Sequence, residues 1–115
     1  MIDMTVLLHD EHGRPIPDIV EMTDGQTPAN CPSLTLGAAV AHALFASYPD
    51  EQSLGWERKF ARGSLAQSLR DNPEAEIESG DLTLIKTLLG KMYGVAVIMA
   101  AIPLLDPAAR PGKIS

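Results

Sequence analysis

The sequence predicts a mainly α protein, an N-terminal β-hairpin followed by a compact bundle of about four helices. Three observations carry this. Apolar residues recur at helical spacing in separate stretches after residue 33, and Pro, Gly, Asn and Asp gather between them. The run Asp81 to Asp106, DLTLIKTLLGKMYGVAVIMAAIPLLD, is bracketed by acids and has Lys86 and Lys91 as its only internal charges. The expected organisation is a hairpin and irregular linker over 1–33, a helical bundle over 34–106 and a flexible C-terminal tail over 107–115. A chain of 115 residues is sized for one folded domain overall.

In the N-terminal part, Thr5 to His9 and Ile16 to Val20 are short β-prone runs joined by Asp10, Glu11, His12, Gly13, Arg14 and Pro15. A Gly-containing loop of that length signals a hairpin. Pro15 and Pro17 confine the second strand to an edge. An isolated hairpin is marginal in water, so this one must lie on the helices or pair with another chain. From Glu21 to Ser33, the residues Asp24, Gly25, Pro28, Asn30 and Pro32 predict an irregular linker.

Ser33 or Thr35 can cap a helix running to about Tyr48, with Leu36, Val40, Ala43 and Leu44 on one face, Ser47 as a small polar end of that stripe, and Pro49 as the stop. Its alanines and Gly37 would let another helix approach closely, as an all-apolar neighbour requires. The next helix, from about Ser53 to Arg70, is expected to bury Leu54, Phe60, Ala61, Leu65 and Leu69, with Trp56 paired to Phe60 one turn on. Asn72 and Pro73 close it.

The long apolar run must first be tested as a membrane span, which needs roughly 20 apolar residues. Lys91 falls near its middle, where a charge costs about 3 kcal/mol, and Gly90, Gly94 and Pro103 divide it. Two packed helices result. In the first, Leu82, Ile85, Leu88 and Leu89 form a stripe, Ser79 fits the N-cap, Asp81 complements the positive end of the helix dipole, and the helix ends near Gly90. The second, Val95 to about Leu105, is apolar on every face from Val95 to Ile102 and must be enclosed by other elements or by a partner.

The net charge of −6 and pI near 4.8 argue against general nucleic-acid binding. Cys31 is the single cysteine and the start, MIDMTVLLHDEHG, lacks the pattern of a signal peptide, so a cytoplasmic location is expected. Acids crowd the first thirty residues and recur at Asp71, Glu74, Glu76 and Glu78, read as a solvated loop that could also steer a basic partner.

Chemistry-bearing patterns are sparse. His9, Asp10, Glu11 and His12 offer metal-type ligands, but the histidines are three apart in a turn with no third ligand placed by the sequence. A metal-dependent enzyme using His9 and His12 is therefore the last of the functional alternatives. His42 lies one position off its apolar stripe and reads as a boundary residue. No signature sets a base beside Cys31, Ser64 lacks a nucleophile elbow, and the glycines match no phosphate-binding loop. No catalytic residue, metal, cofactor or small-molecule substrate is evident. Arg58, Lys59 and Arg62 share about a third of a helix circumference and read either as a solvated face or as a contact for an acidic protein surface or phosphates.

The succession LTLG at Leu34 to Gly37, KFARGSLAQSL at Lys59 to Leu69, and the block from Asp81 to Asp106 resembles small uncharacterised proteins encoded by tailed bacteriophages and prophages. The resemblance covers roughly the last 80 residues without the N-terminal hairpin. It implies an origin, in a host cytoplasm, and carries over no functional residue. Small acidic phage proteins act mostly by occupying a surface. The expectation is thus a non-catalytic accessory protein that binds another protein, as an inhibitor or modulator of a host or defence complex or as an assembly factor. A structural homo-oligomer of a phage particle is the alternative. The expected partner-binding residues are Arg58, Lys59 and Arg62 with Val95, Ile98 and Ile102, and the partner is another protein or a second copy, with no membrane.

Overall fold

The computed structural model describes residues 2–18, 32–46, 48–51 and 53–106. The expected tail over 107–115, Cys31, Ser47, the end of the second expected strand and most of the linker lie outside the described residues. The described chain is mainly helical, with four helices: α1 (Leu36–Phe45), α2 (Trp56–Leu69), α3 (Ser79–Met92) and α4 (Val95–Leu105). A short 3-10 turn, Pro49–Glu51, precedes α2. None of these helices is long and apolar enough to cross a membrane.

The expected β-hairpin does not form as a pair of strands. Among the described residues there are only isolated antiparallel bridges, His9 to Pro15, Leu7 to Thr35, Pro17 to Ser33 and Ile2 to Ala75. Proline has no amide hydrogen, so Pro15 and Pro17 cannot extend a ladder. The turn itself is made as the sequence indicates, with Gly13 at φ 75° and its amide donating to the Asp10 carbonyl at 3.0 Å.

The N-terminal segment has another role. Residues 6–8, 16–18 and 32–36 are laced together by Leu8 N–H to Leu34 O, Leu34 N–H to Ile16 O and Ile16 N–H to Leu8 O, at 2.7 to 3.0 Å. This sets the chain against the start of α1, whose first amides have no partner within the helix. Leu36 N–H donates to Val6 O at 2.8 Å, Gly37 N–H to Met4 O at 2.7 Å, and Ala38 N–H to the Thr35 hydroxyl at 3.0 Å. Thr35 is the cap, one of the two residues expected for it. Met4 and Leu8 bury their side chains in the same core.

Helix α1 packs against both α2 and α3, and every residue from Leu36 to Leu44 is buried. It is shorter than expected, ending at Phe45 rather than Tyr48, because the chain turns extended at Ala46 ahead of Pro49. Tyr48 folds back and donates its hydroxyl to Ala43 O at 2.7 Å, satisfying a carbonyl of the last turn. Gly37 is required by close approach: a Cβ there would overlap the Arg70 carbonyl and lie 2.8 Å from Met4 O.

Helix α2 begins at Trp56, not Ser53, and corrects the expected burial. Ala66 and Leu69 are buried, Leu54 and Leu65 are half-buried, and Phe60 and Ala61 are exposed. The inward row is Arg62, Ala66 and Leu69. A row headed by an arginine is invisible to a count of apolar residues, and its charge is met by Glu51. In α3, Ile85, Leu88 and Leu89 are buried as expected and Leu82 is half-buried. Ser79 is the first residue of the helix rather than its cap, Glu78 holds the cap position, and the helix continues past Gly90 to Met92.

Helix α4 spans the expected residues, but the other described elements do not enclose it. It packs chiefly on α3 rather than on the small residues of α1, burying Val97, Ala101 and Leu105 at i, i+4 and i+8. Lys86 of α3 ties its end by an ion pair to Asp106 at 2.9 Å.

Candidate protein-binding face

Among the described residues, the first half of α2 carries an unusual surface. The chain has one tryptophan and two phenylalanines, and Trp56, Phe60 and Phe45 are respectively 74%, 71% and 57% exposed. Large aromatic rings lose much by facing water. Trp56, Phe60 and Gly63 stand at i, i+4 and i+7, on one side of α2. Phe45, at the end of α1, lies against Gly63, where a Cβ would be 3.5 Å from its Cε1. The three rings thus share one face across the junction of α1 and α2.

Two grooves flank this half of α2. Between α1 and α2 is a cavity of about 440 Å³, with Leu44, Phe45, Ala46 and Leu54 as apolar lining and Lys59 among its polar groups. On the α3 side a cavity of about 670 Å³ is lined by Leu54, Arg58, Ala61, Leu65 and Leu84, with Asp81. Arg58 and Lys59 are exposed.

Arg62 behaves differently from the other two expected cations. It forms a bidentate pair with Glu51, at 2.7 and 2.6 Å, and both side chains are largely covered. Hydrogen bonding to Arg62 holds the Glu51 carboxyl below its ordinary pKa, and the same bond raises that of Arg62. Arg62 fastens the 3-10 turn to α2. Lys91 of α3 reaches the same turn at Asp50, 2.8 Å away, and its bond lowers the Asp50 pKa.

The α4 residues divide as well. Val95 is 79% exposed and Met99 and Leu104 are also exposed, whereas Ile98 and Ile102 are half-buried against the core. The open α4 face therefore consists of Val95 and Met99, one turn apart, with Leu104 exposed on the opposite flank, and Val95 and Met99 border a cavity shared with His9, Asp10 and Glu11.

His9 and His12 are both exposed, and His12 Nε2 stands 3.6 Å from Glu11. Among the described residues no three His, Cys, Asp or Glu side chains converge as a metal site would require. His42 is buried rather than at a boundary, and its Nε2 meets the Asp18 carboxylate at 3.1 Å. This pair clasps the N-terminal segment to the middle of α1. The Tyr93 hydroxyl is buried without a hydrogen-bond partner among the described residues, and burial, with a lesser effect of the Asp18 carboxylate, raises its pKa. The loop acids Asp71, Glu74, Glu76 and Glu78 are exposed.

The sequence reading placed Arg58 and Lys59 in the candidate site but assigned Phe60 to the core. The available signal was the row Trp56, Phe60 and Gly63, set a third of a turn from the buried row. Comparison with protein-family models, with curated proteins and with solved structures finds no match to this chain.

Proposed function

We propose that this chain is a phage-type accessory protein that acts in the host cytoplasm by binding another protein, as an inhibitor, modulator or assembly factor, and not by catalysis. One observation carries the reading: the only tryptophan and both phenylalanines lie on the surface, on one face, with Lys59 in the groove that Phe45 lines. Trp, Phe and Arg are enriched where proteins bind one another, and buried aromatic anchors dominate such interfaces. The test is affinity purification from expressing or infected cells with wild type and a W56A/F60A variant. A specific protein recovered with wild type and lost with the variant supports the reading. Equal recovery by both, or recovery of the chain alone, overturns it.

A second reading, a structural homo-oligomer, draws on the open α4 face of Val95 and Met99. Self-association through that face would bury it against an identical copy. Sedimentation showing a monomer at high micromolar concentration excludes it.

A further inference from the structure

Independently of the aromatic face, we propose that the groove between α2 and α3 binds a short extended peptide with apolar side chains and free ends, its α-carboxylate on Arg58 and its α-ammonium on Asp81. The groove exists because α2 and α3 both pack on α1 but make little contact with each other. Its cavity of about 670 Å³ falls within the range of small-ligand sites, roughly 300 to 1,000 Å³. The floor is apolar, with Leu54, Ala61 and Leu65 facing Leu84 of α3.

Charge carries the choice of ligand. Arg58, Arg62 and Asp81 line the groove, and the Arg62 charge is met by Glu51. Arg58 and Asp81 have no ion pair among the described residues, either with each other or with another group. The helix directions keep them apart. Helices α1 and α2 run in opposite senses, since Gly37 near the start of α1 meets the Arg70 carbonyl and Phe45 at its end meets Gly63. Helix α3 runs with α1: Leu88 O is 3.4 Å from the Tyr48 hydroxyl, which is anchored on Ala43, and Lys91 holds Asp50. Asp81, in the first turn of α3, therefore stands toward the Ser68 end of α2, and Arg58 lies about 15 Å back along α2 from Ser68. The exposed acids Asp71, Glu74, Glu76 and Glu78 precede α3 and deepen the negative potential at the Asp81 end. Glu57, about 100° round the helix from Arg58, is outside the lining. An unmatched cation and an unmatched carboxylate at opposite ends of an apolar floor select a dipolar ligand. A fatty acid would meet Arg58 but lay hydrocarbon on Asp81, and covering an unpaired charge is costly.

Length carries the choice of a peptide. An extended chain advances about 3.3 to 3.6 Å per residue, so about four residues carry an ammonium and a carboxylate to such a separation. Ser64 and Ser68, one turn apart on the groove wall, offer hydroxyls for its amides. The Ser68 hydroxyl already donates to Leu65 O at 2.8 Å, which leaves its oxygen to accept from a peptide N–H.

The test is calorimetric titration of the full chain with tetrapeptides of Ala, Leu and Phe, each with free ends, N-acetylated or C-amidated. Free-ended peptides should bind, and either block should weaken them at least about tenfold. Asp81→Asn should weaken the free peptide and erase the effect of acetylation, and Arg58→Gln should erase that of amidation. Ala61→Trp, at an exposed position of α2, should fill the groove and abolish binding. Glu57→Gln and Trp56→Ala should leave binding unchanged. Circular dichroism checks the fold of each variant.

No binding of free-ended tetrapeptides at millimolar concentration overturns the proposal and leaves the protein-binding reading untouched. Binding indifferent to both blocks, or unchanged by Asp81→Asn and Arg58→Gln, overturns the matching of the ends. Tighter binding of decanoate than of any peptide gives the groove to an aliphatic acid instead. Binding lost in Trp56→Ala but kept in Ala61→Trp overturns the site and moves the peptide to the aromatic face.

Discussion

Helices α1 and α4 are both almost entirely apolar, yet α1 is buried over nine of its ten residues and α4 over three of its eleven. Hydrophobicity does not distinguish them. Side-chain size and position in the chain do. The glycine and alanines of α1 let α2, α3 and the N-terminal segment close on it from several sides, with the backbones in near contact at Gly37. The Val, Ile, Met and Leu side chains of α4 hold neighbours at a distance, and as the last described helix it has α3 as its chief support. The comparison teaches that small apolar residues draw an element to the centre, while large ones supported chiefly by one neighbouring helix leave a face open.

The sharpest way to break this contrast is at Gly37. Gly37→Ala should destabilise the fold by about 3 kcal/mol or more, since its Cβ must displace the backbone at Arg70. Urea unfolding measures it, and a loss under about 1 kcal/mol would show that α1 is not packed to backbone contact. Leu36→Ala, at a fully buried side chain, should cost about 3 kcal/mol by the same assay.

Arg62→Ala should cost about 2 kcal/mol, because it leaves the largely covered Glu51 carboxylate without its bidentate partner. It should also change the acid limb. The Glu51 pKa is depressed in the folded chain, so the pair's contribution is complete above the ordinary glutamate value of 4.5 and fades as pH falls below it. Wild type should therefore lose stability more steeply than Arg62→Ala over that range. Smallest of all, Val95→Thr with Met99→Gln should change monomer stability by no more than about 0.5 kcal/mol, as both positions are exposed. A larger effect that grows with protein concentration would place α4 in a self-association interface.

The helices after residue 33 were legible because caps, breakers and periodicity act over a few residues. Thr35, Pro49, Asn72 and the Ile85, Leu88, Leu89 stripe all work that way. What failed to show was long-range. The inward row of α2 begins with Arg62, which enters a covered position only because Glu51 awaits it 11 positions earlier. His42 becomes a core residue because Asp18 is folded onto it 24 positions away. The N-terminal runs have strand composition, but the carbonyls of Met4 and Val6 are taken by the first turn of α1, that of Ile16 by Leu34, and two prolines stop a ladder.

The candidate face divides in the same manner. Arg58 and Lys59 could be singled out by their spacing, whereas the exposure of Trp56, Phe60 and Phe45 depended on which side of α2 turned toward α1.

By itself, then, the sequence determined the helical character of the chain, the number of its helices to within their ends and a cap at Ser33 or Thr35, all properties of neighbours within one or two turns. The tertiary structure alone decided that α1 would be central, that α4 would keep a side open among the described residues and that Arg62 would be covered while Arg58 and Lys59 were exposed. Those outcomes depend on charges and backbones meeting across tens of residues, where local periodicity carries no information.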